Sequence, residues 1–266
     1  MKREFPTADG RIIALDIPEP RAGQSVYVVA GHKTGSVLLT NIIHDLAEAT
    51  GLPAVPVEGS VWREGFAVKD WPASLYALLE EDGYVFYSFR WLQKLPGLAA
   101  FADRRKLFMI RDPRDVAVSY YFSMARSHGL PKTGSSRDTI TALRKEAGAM
   151  GIDEFVQAGK AGPILRNIER FAEYLEDPAA TFYRYEDVIF AKRDWVAQIA
   201  GDLGIALPEQ ALQEIADRHD IVPDKEAPDK HIRSVRPGGY REKLSPESQD
   251  YIREHHPAFF QRYGYS

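Results

Sequence analysis

The stretch VYVVAGHKTGSVLLTNIIHDL at residues 26–46 sets the strongest limit on what this chain can fold into. Its first five residues are apolar at every position, which predicts a strand covered on both faces, Val26–Ala30. From Ser36 the apolar residues Leu38, Leu39, Ile42, Ile43 and Leu46 recur at helical spacing. Between strand and helix, Gly31-His32-Lys33-Thr34-Gly35 must turn the chain sharply and present bare N–H groups at a helix N-terminus, where anions are attracted. The loop does not follow the Walker A pattern, which needs a Lys after the last Gly and directly before Ser/Thr; Lys33 precedes Gly35. A plain strand-to-helix turn needs glycines as well, so the rest of the chain has to decide.

Beyond a hairpin around Asp9-Gly10, strands and helices alternate. Strands are predicted at 52–57, 84–88, 106–111 and 181–185, with helices at 72–81, after Asp112, at 163–176, at 194–203 and at 245–256. That order implies an α/β three-layer sandwich with a central, mostly parallel sheet flanked by helices, similar to the P-loop NTPase fold. The polar, Gly/Ser-rich stretch 127–162, with helical runs at 140–150 and 152–158, reads as a lid or acceptor-site excursion. The 266 residues suffice for a substantial core, and one domain over 1–266 is expected. A net charge of -4 argues against a general nucleic-acid binder, and the absence of Cys excludes a disulfide framework, a thiolate metal site and a Cys nucleophile. No apolar run approaches a membrane span and residues 1–11 are too polar for a signal core, so a cytoplasmic protein is expected.

Chemistry concentrates in four places. Arg111 stands at the carboxyl end of a predicted strand, where open α/β sheets bind ligands, and Ser119 follows about two helical turns later. Asp112 and Pro113 read as helix cap and first helical residue. Tyr185-Glu186-Asp187 ends another strand, and RSVRPGGYR at 233–241 is a basic turn.

Together these segments resemble the sulfotransferases that use 3′-phosphoadenosine 5′-phosphosulfate (PAPS). The family's 5′-phosphosulfate loop, P-K-S-G-T-T-W, is similar to HKTGSVL at 32–38, and its glycan-modifying members carry a K-T-G-T variant closer still to KTGS. The 3′-phosphate segment R-N-P-K-D-V-A-V-S-Y-Y resembles RDPRDVAVSYY at 111–121 almost residue for residue. The Y-E-D strand end recurs at 185–187, and R-K-G-x-x-G-D-W-K-x-x-F-T corresponds without a gap to the degraded RSVRPGGYREKLS at 233–245. The resemblance runs from Ser25 onward.

It implies that Lys33, Thr34, Gly35, Ser36 and Val37 hold the 5′-phosphosulfate. Arg111 and Ser119 would hold the 3′-phosphate, with Tyr185, Arg233, Ser234 and Val235 closing the nucleotide site. The resemblance also implies 3′-phosphoadenosine 5′-phosphate (PAP) as the product, no required metal, and a small-molecule or glycan acceptor as the partner. Two departures follow. Where cytosolic members carry a catalytic K-T-H, this chain has YSF, so Tyr87 stands for the Lys and Phe89 for the His. Leu38 stands where those members stack a Trp on adenine. Glycan sulfotransferases take their base from a Glu after the first helix, which ranks Glu58 first and Glu64 second here, with His32 and His128 behind. Two alternatives stay open: a P-loop kinase or NTPase, and a catalytically inactive nucleotide-binding relative.

Overall fold

The computed structural model describes residues 1–92, 94–127, 135–221 and 235–266. Strands β1 (Lys2–Pro6) and β2 (Ile12–Asp16) form the expected antiparallel hairpin, in register from Lys2 opposite Asp16 to Pro6 opposite Ile12. The central sheet contains β3 (Val26–Ala30), β4 (Ala54–Pro56), β5 (Val85–Phe89), β6 (Lys106–Ile110) and β7 (Ala180–Arg184). All are parallel, in the order β4-β5-β3-β6-β7. β3 therefore lies between β5 and β6, and the loop after it opens at the middle of the carboxyl edge.

Helices cover both faces. On one side lie α1 (Ser36–Thr50) and, further along the chain, the helices at Lys192–Asp202 and Glu209–Arg218. They bury Leu39, Ile42, Ile43, Leu46, Trp195 and Ile199 against Val28, Val85, Leu107 and Met109. The other face receives α2 (Val57–Arg63), α3 (Ala73–Leu79), α4 (Ala99–Asp103) and α5 (Pro113–Phe122). After them come α6 (Ser135–Ala149), α7 (Ile152–Gln157) and α8 (Gly162–Glu169). Tyr27, Val29, Phe86, Phe89, Phe108 and Ile110 form that side of the core. Phe108 stacks on Phe182 at 5.0 Å and lies 5.1 Å from Phe171, and burying one such ring is worth about 1.5–3 kcal/mol.

The element boundaries differ from expectation in three instructive places. The predicted strand 52–57 is only three residues long, because the chain turns at Pro56 into α2, whose first turn carries Glu58. The predicted helix 163–176 is α8 followed by a tighter 3₁₀ segment, Arg170–Tyr174. The helix predicted to end at 256 is followed by another, Pro257–Tyr263, opened by its own proline. Of the excursion at 127–162, the run 140–150 falls in α6 up to Ala149 and the run 152–158 in α7 up to Gln157, whereas residues 128–134 lie outside the described residues.

Candidate functional site

The loop after β3 is shaped by close packing. A Cβ on Gly31 would lie 2.3 Å from Cγ1 of Ile168, so a side chain there would displace α8. Thr34 is buried and donates its hydroxyl to the Gly31 carbonyl at 2.8 Å. That places the expected phosphate-loop hydroxyl inside the turn, leaving Thr34 its backbone for a ligand. Lys33 (φ 68) and Gly35 (φ 98) are both left-handed, and a Cβ on Gly35 would stand 2.7 Å from Met109 Cε and 2.9 Å from Tyr185 Cδ2. α1 then starts at Ser36 with no side chain capping its first N–H groups.

β6 delivers Arg111 beside this loop. Its guanidinium lies 4.1 Å from the centre of the Tyr185 ring and 3.5 Å from Asp115 Oδ2, and Nη1 donates to the Lys33 carbonyl at 3.4 Å. Its Nε is buried with no partner. Asp112 caps α5 by accepting the Arg114 N–H at 2.9 Å, which fixes the turn that aims Arg111. Asp115 also accepts the N–H groups of Gly238 (2.7 Å) and Tyr240 (3.1 Å), while the Tyr185 hydroxyl donates to the Val235 carbonyl at 2.9 Å. Residues 235–240 are thus clamped onto the Arg111 turn. Ser119 is half-buried further along α5. Arg233, Ser234 and His128 lie outside the described residues.

On the other flank, β5 ends in a bulge. Phe86 pairs with Tyr27 but Phe89 with Val29, so three steps on β5 match two on β3, and Ser88 takes φ 68. Tyr87 is buried on the α1 side and its pKa is pushed up to about 12 by burial; Phe89 is buried on the α2 side beside Trp71. The two residues standing for the K-T-H pair therefore pack into the two cores.

Glu58 instead occupies the end of this strand. Its Oε2 accepts the N–H of Arg90 at 2.9 Å and of Trp91 at 3.3 Å, and burial drives its pKa up to about 7 against the pull of those contacts. Gly59 lets α2 come this near, since a Cβ there would lie 2.5 Å from Ser88 Oγ. Arg90 Nη1 donates to Ser36 Oγ at 2.7 Å, tying this flank to the start of α1. His32 sits above it, its ring 5.2 Å from that of Trp91.

Glu64 does not join the group. It is exposed at the far end of α2, about 9 Å along the helix axis from Glu58, and accepts the Ala14 N–H of the hairpin at 3.4 Å. Leu38 packs against the α1-side core. Arg90 and Asn167 belong to no motif marked in the sequence, and Asp115 reads there only as an acid in the first turn of a helix. Asn167 donates to the Arg90 carbonyl at 2.8 Å and accepts the Leu92 N–H at 2.9 Å. A signal for Arg90 was available, since β5 and β6 both run directly into an arginine.

Among the described residues no helix is long and apolar enough to cross a membrane, and no cluster of three His, Asp or Glu side chains is arranged to hold a metal. A search of curated protein sequences found no match. Solved structures share the fold, among them the following two. Mouse sulfotransferase SULT7A1 complexed with PAP is 14% identical, over 90% of this chain and 83% of that one, with a TM-score of 0.57. Retinol dehydratase in a complex with retinol and PAP is 17% identical, over 94% of this chain and 90% of that one, with a TM-score of 0.50. The family model described as "Sulfotransferase domain" matches residues 88–255, more than half of the chain. That span starts in the β5 bulge and includes Arg90, Arg111, Asp115 and Tyr185, and on it the chain belongs to the sulfotransferase family.

Proposed function

We propose that this protein, folded as one domain over residues 1–266, transfers a sulfuryl group from PAPS to an acceptor hydroxyl or amine of a carbohydrate, lipid or other small molecule. One observation carries the reading. Three adjacent strand ends bring together an uncapped helix start, a buried arginine with a spare donor, and a carboxyl group that titrates near neutrality. The unpartnered Nε of Arg111 fits an anionic group, and Gly35 lets the loop pack closely on Met109 and on the Tyr185 ring that lies against that arginine.

In this reading Lys33 and the N–H groups of Gly35, Ser36 and Val37 hold the 5′-phosphosulfate. Arg111 and Ser119 take the 3′-phosphate, and Tyr185, Val235, Arg233 and Ser234 close over that end. As the acceptor oxygen bonds to sulfur, the bond from sulfur to the bridging oxygen breaks and its electron pair stays on the departing PAP. Glu58 takes the acceptor proton. Lys33 and the aligned N–H groups meet the charge that develops on the leaving oxygen. PAP in the comparison structures supports the nucleotide assignment through the shared fold. The kinase alternative is disfavoured by Lys33 preceding Gly35. The inactive alternative rested on Phe89, and a carboxyl group at the end of the same strand weakens that ground.

Arg111→Ala and Ser119→Ala test the assignment. Each is expected to weaken PAP binding by roughly 1.5–3 kcal/mol, about 10- to 100-fold, with little change for adenosine 5′-phosphate, which lacks the 3′-phosphate. Titration calorimetry of both ligands decides, and equal losses for the two would reject it.

A further inference from the structure

Two neighbouring strands of β3 end in arginine, and the sheet order places them on opposite flanks of the phosphate loop: Arg111 after β6 and Arg90 after β5. In a regular strand residues 87 and 89 would share a face. The bulge at Ser88 separates them, sends Phe89 into the α2-side core, and releases Arg90 at the carboxyl edge beside the start of α1.

Arg90 is held firmly there. Glu58 accepts its N–H at 2.9 Å, Asn167 donates to its carbonyl at 2.8 Å, and Asn167 ties down the next turn through the Leu92 N–H at 2.9 Å. Its Nη1 donates to Ser36 Oγ at 2.7 Å. The side-chain hydrogen bond of this guanidinium therefore goes to a neutral hydroxyl, while Glu58 meets the backbone rather than the fork. Burial works against the Arg90 charge, and the proximity of Glu58 supports it. A guanidinium carries five N–H donors, and one hydroxyl leaves most of them for oxyanion atoms brought to the α1 start.

The geometry points to Arg90 as a further catalytic residue that binds the sulfonate oxygens of the donor on the acceptor side of the loop, a role that rests on the donor reading above. Arg111 then serves the nucleotide end, and Arg90 with Glu58 serves the transfer end. During transfer the sulfur exchanges its bond to the phosphate oxygen for one to the acceptor oxygen, and the acceptor proton goes to Glu58. Arg90 stays hydrogen-bonded to sulfonate oxygens throughout and forms no covalent bond.

The experiment compares PAP, which has no sulfonate, with PAPS in the absence of acceptor, titrated into wild type, Arg90→Gln and Arg90→Lys. Arg90→Gln is expected to bind PAP within about 3-fold of wild type, to lose about 10-fold or more in PAPS affinity, and to lose about 100-fold in turnover. Arg90→Lys, which keeps the charge and the backbone contacts, should recover part of both losses and serves if the Gln variant does not fold. Added ethylguanidinium should restore turnover to Arg90→Ala, a rescue that a purely structural arginine would not show. Equal loss of PAP and PAPS affinity, or PAPS affinity and turnover both unchanged, overturns the assignment. Wild type that binds neither PAP nor PAPS overturns the donor reading itself, before any variant is compared.

Discussion

Glu58→Gln is expected to slow sulfuryl transfer by about 100- to 10,000-fold, the range for losing a general base, without loss of fold or of PAP binding. The amide oxygen of Gln can still accept the N–H groups of Arg90 and Trp91, so the end of β5 stays in place. Proton removal is what disappears. Because burial raises the Glu58 pKa to about 7, the wild-type rate should climb as pH rises through 7, where the carboxylate form becomes populated, and level off above it.

The same shift has a stability signature of the opposite sign. The folded state holds the Glu58 proton more tightly than the unfolded chain, so the stability it contributes is full below the unfolded value of 4.5 and is lost as pH rises through about 7. At pH 8 the buried carboxylate costs up to about 3 kcal/mol. Glu58→Gln removes that cost, so the variant should melt higher than wild type at pH 8 and close to it at pH 4.5. An active Glu58→Gln enzyme, or an equal melting shift at both pH values, would remove Glu58 from the role of base.

Lys33→Ala should lower turnover by about 100- to 1000-fold while changing donor affinity by less than 10-fold. An ammonium at the mouth of the loop does most for the charge that develops on the leaving oxygen, and less for the ground state. Its backbone indicates how strictly it is placed. A non-glycine residue at φ 68 costs roughly 1–2 kcal/mol, and the turn holds it there through the Thr34 hydroxyl on Gly31 and the Arg111 contact to its carbonyl. Lys33→Gly relieves that strain and still removes the ammonium. Both variants should therefore lose turnover alike, even where the Gly variant is the more stable. A rise in the donor KM with kcat intact would make Lys33 a simple binding residue.

How much of this was legible in the sequence depends on what sets each feature. β3 and β6 are apolar at nearly every position and each is followed by a helix, so their place at the sheet centre could be read directly. Arg111 stood out because the carboxyl ends of strands are where such sheets put their chemistry, whereas Tyr185, after the edge strand β7, was marked by the family resemblance. The bulge at the end of β5 could not be read, because alternation tells which face a strand residue takes and a bulge cancels it. Nothing in YVFYSFR announces that Ser88 will adopt φ 68, which is imposed by pairing with β3 on one side and by the approach of Gly59 on the other. Arg90 was overlooked as a consequence. The sequence ranks Glu58 ahead of Glu64, and the physical difference between them comes from α2, which has one at its buried start and the other at its exposed end. Asp115 looked like a first-turn acid of a helix, which it is; its clamp on residues 238 and 240 joins positions more than a hundred residues apart and leaves no local trace.

The central claim is that the loop after β3 and the Arg111 turn together form a site for a nucleotide phosphorylated at both the 3′ and 5′ positions. Titration calorimetry of the wild-type protein with PAP, adenosine 5′-phosphate and magnesium-ATP tests it without knowledge of the acceptor. PAP should bind about 10- to 100-fold more tightly than adenosine 5′-phosphate, the value of one charge-assisted 3′-phosphate site, and more tightly than magnesium-ATP. Magnesium-ATP binding best, with no preference for the 3′-phosphate, would contradict it.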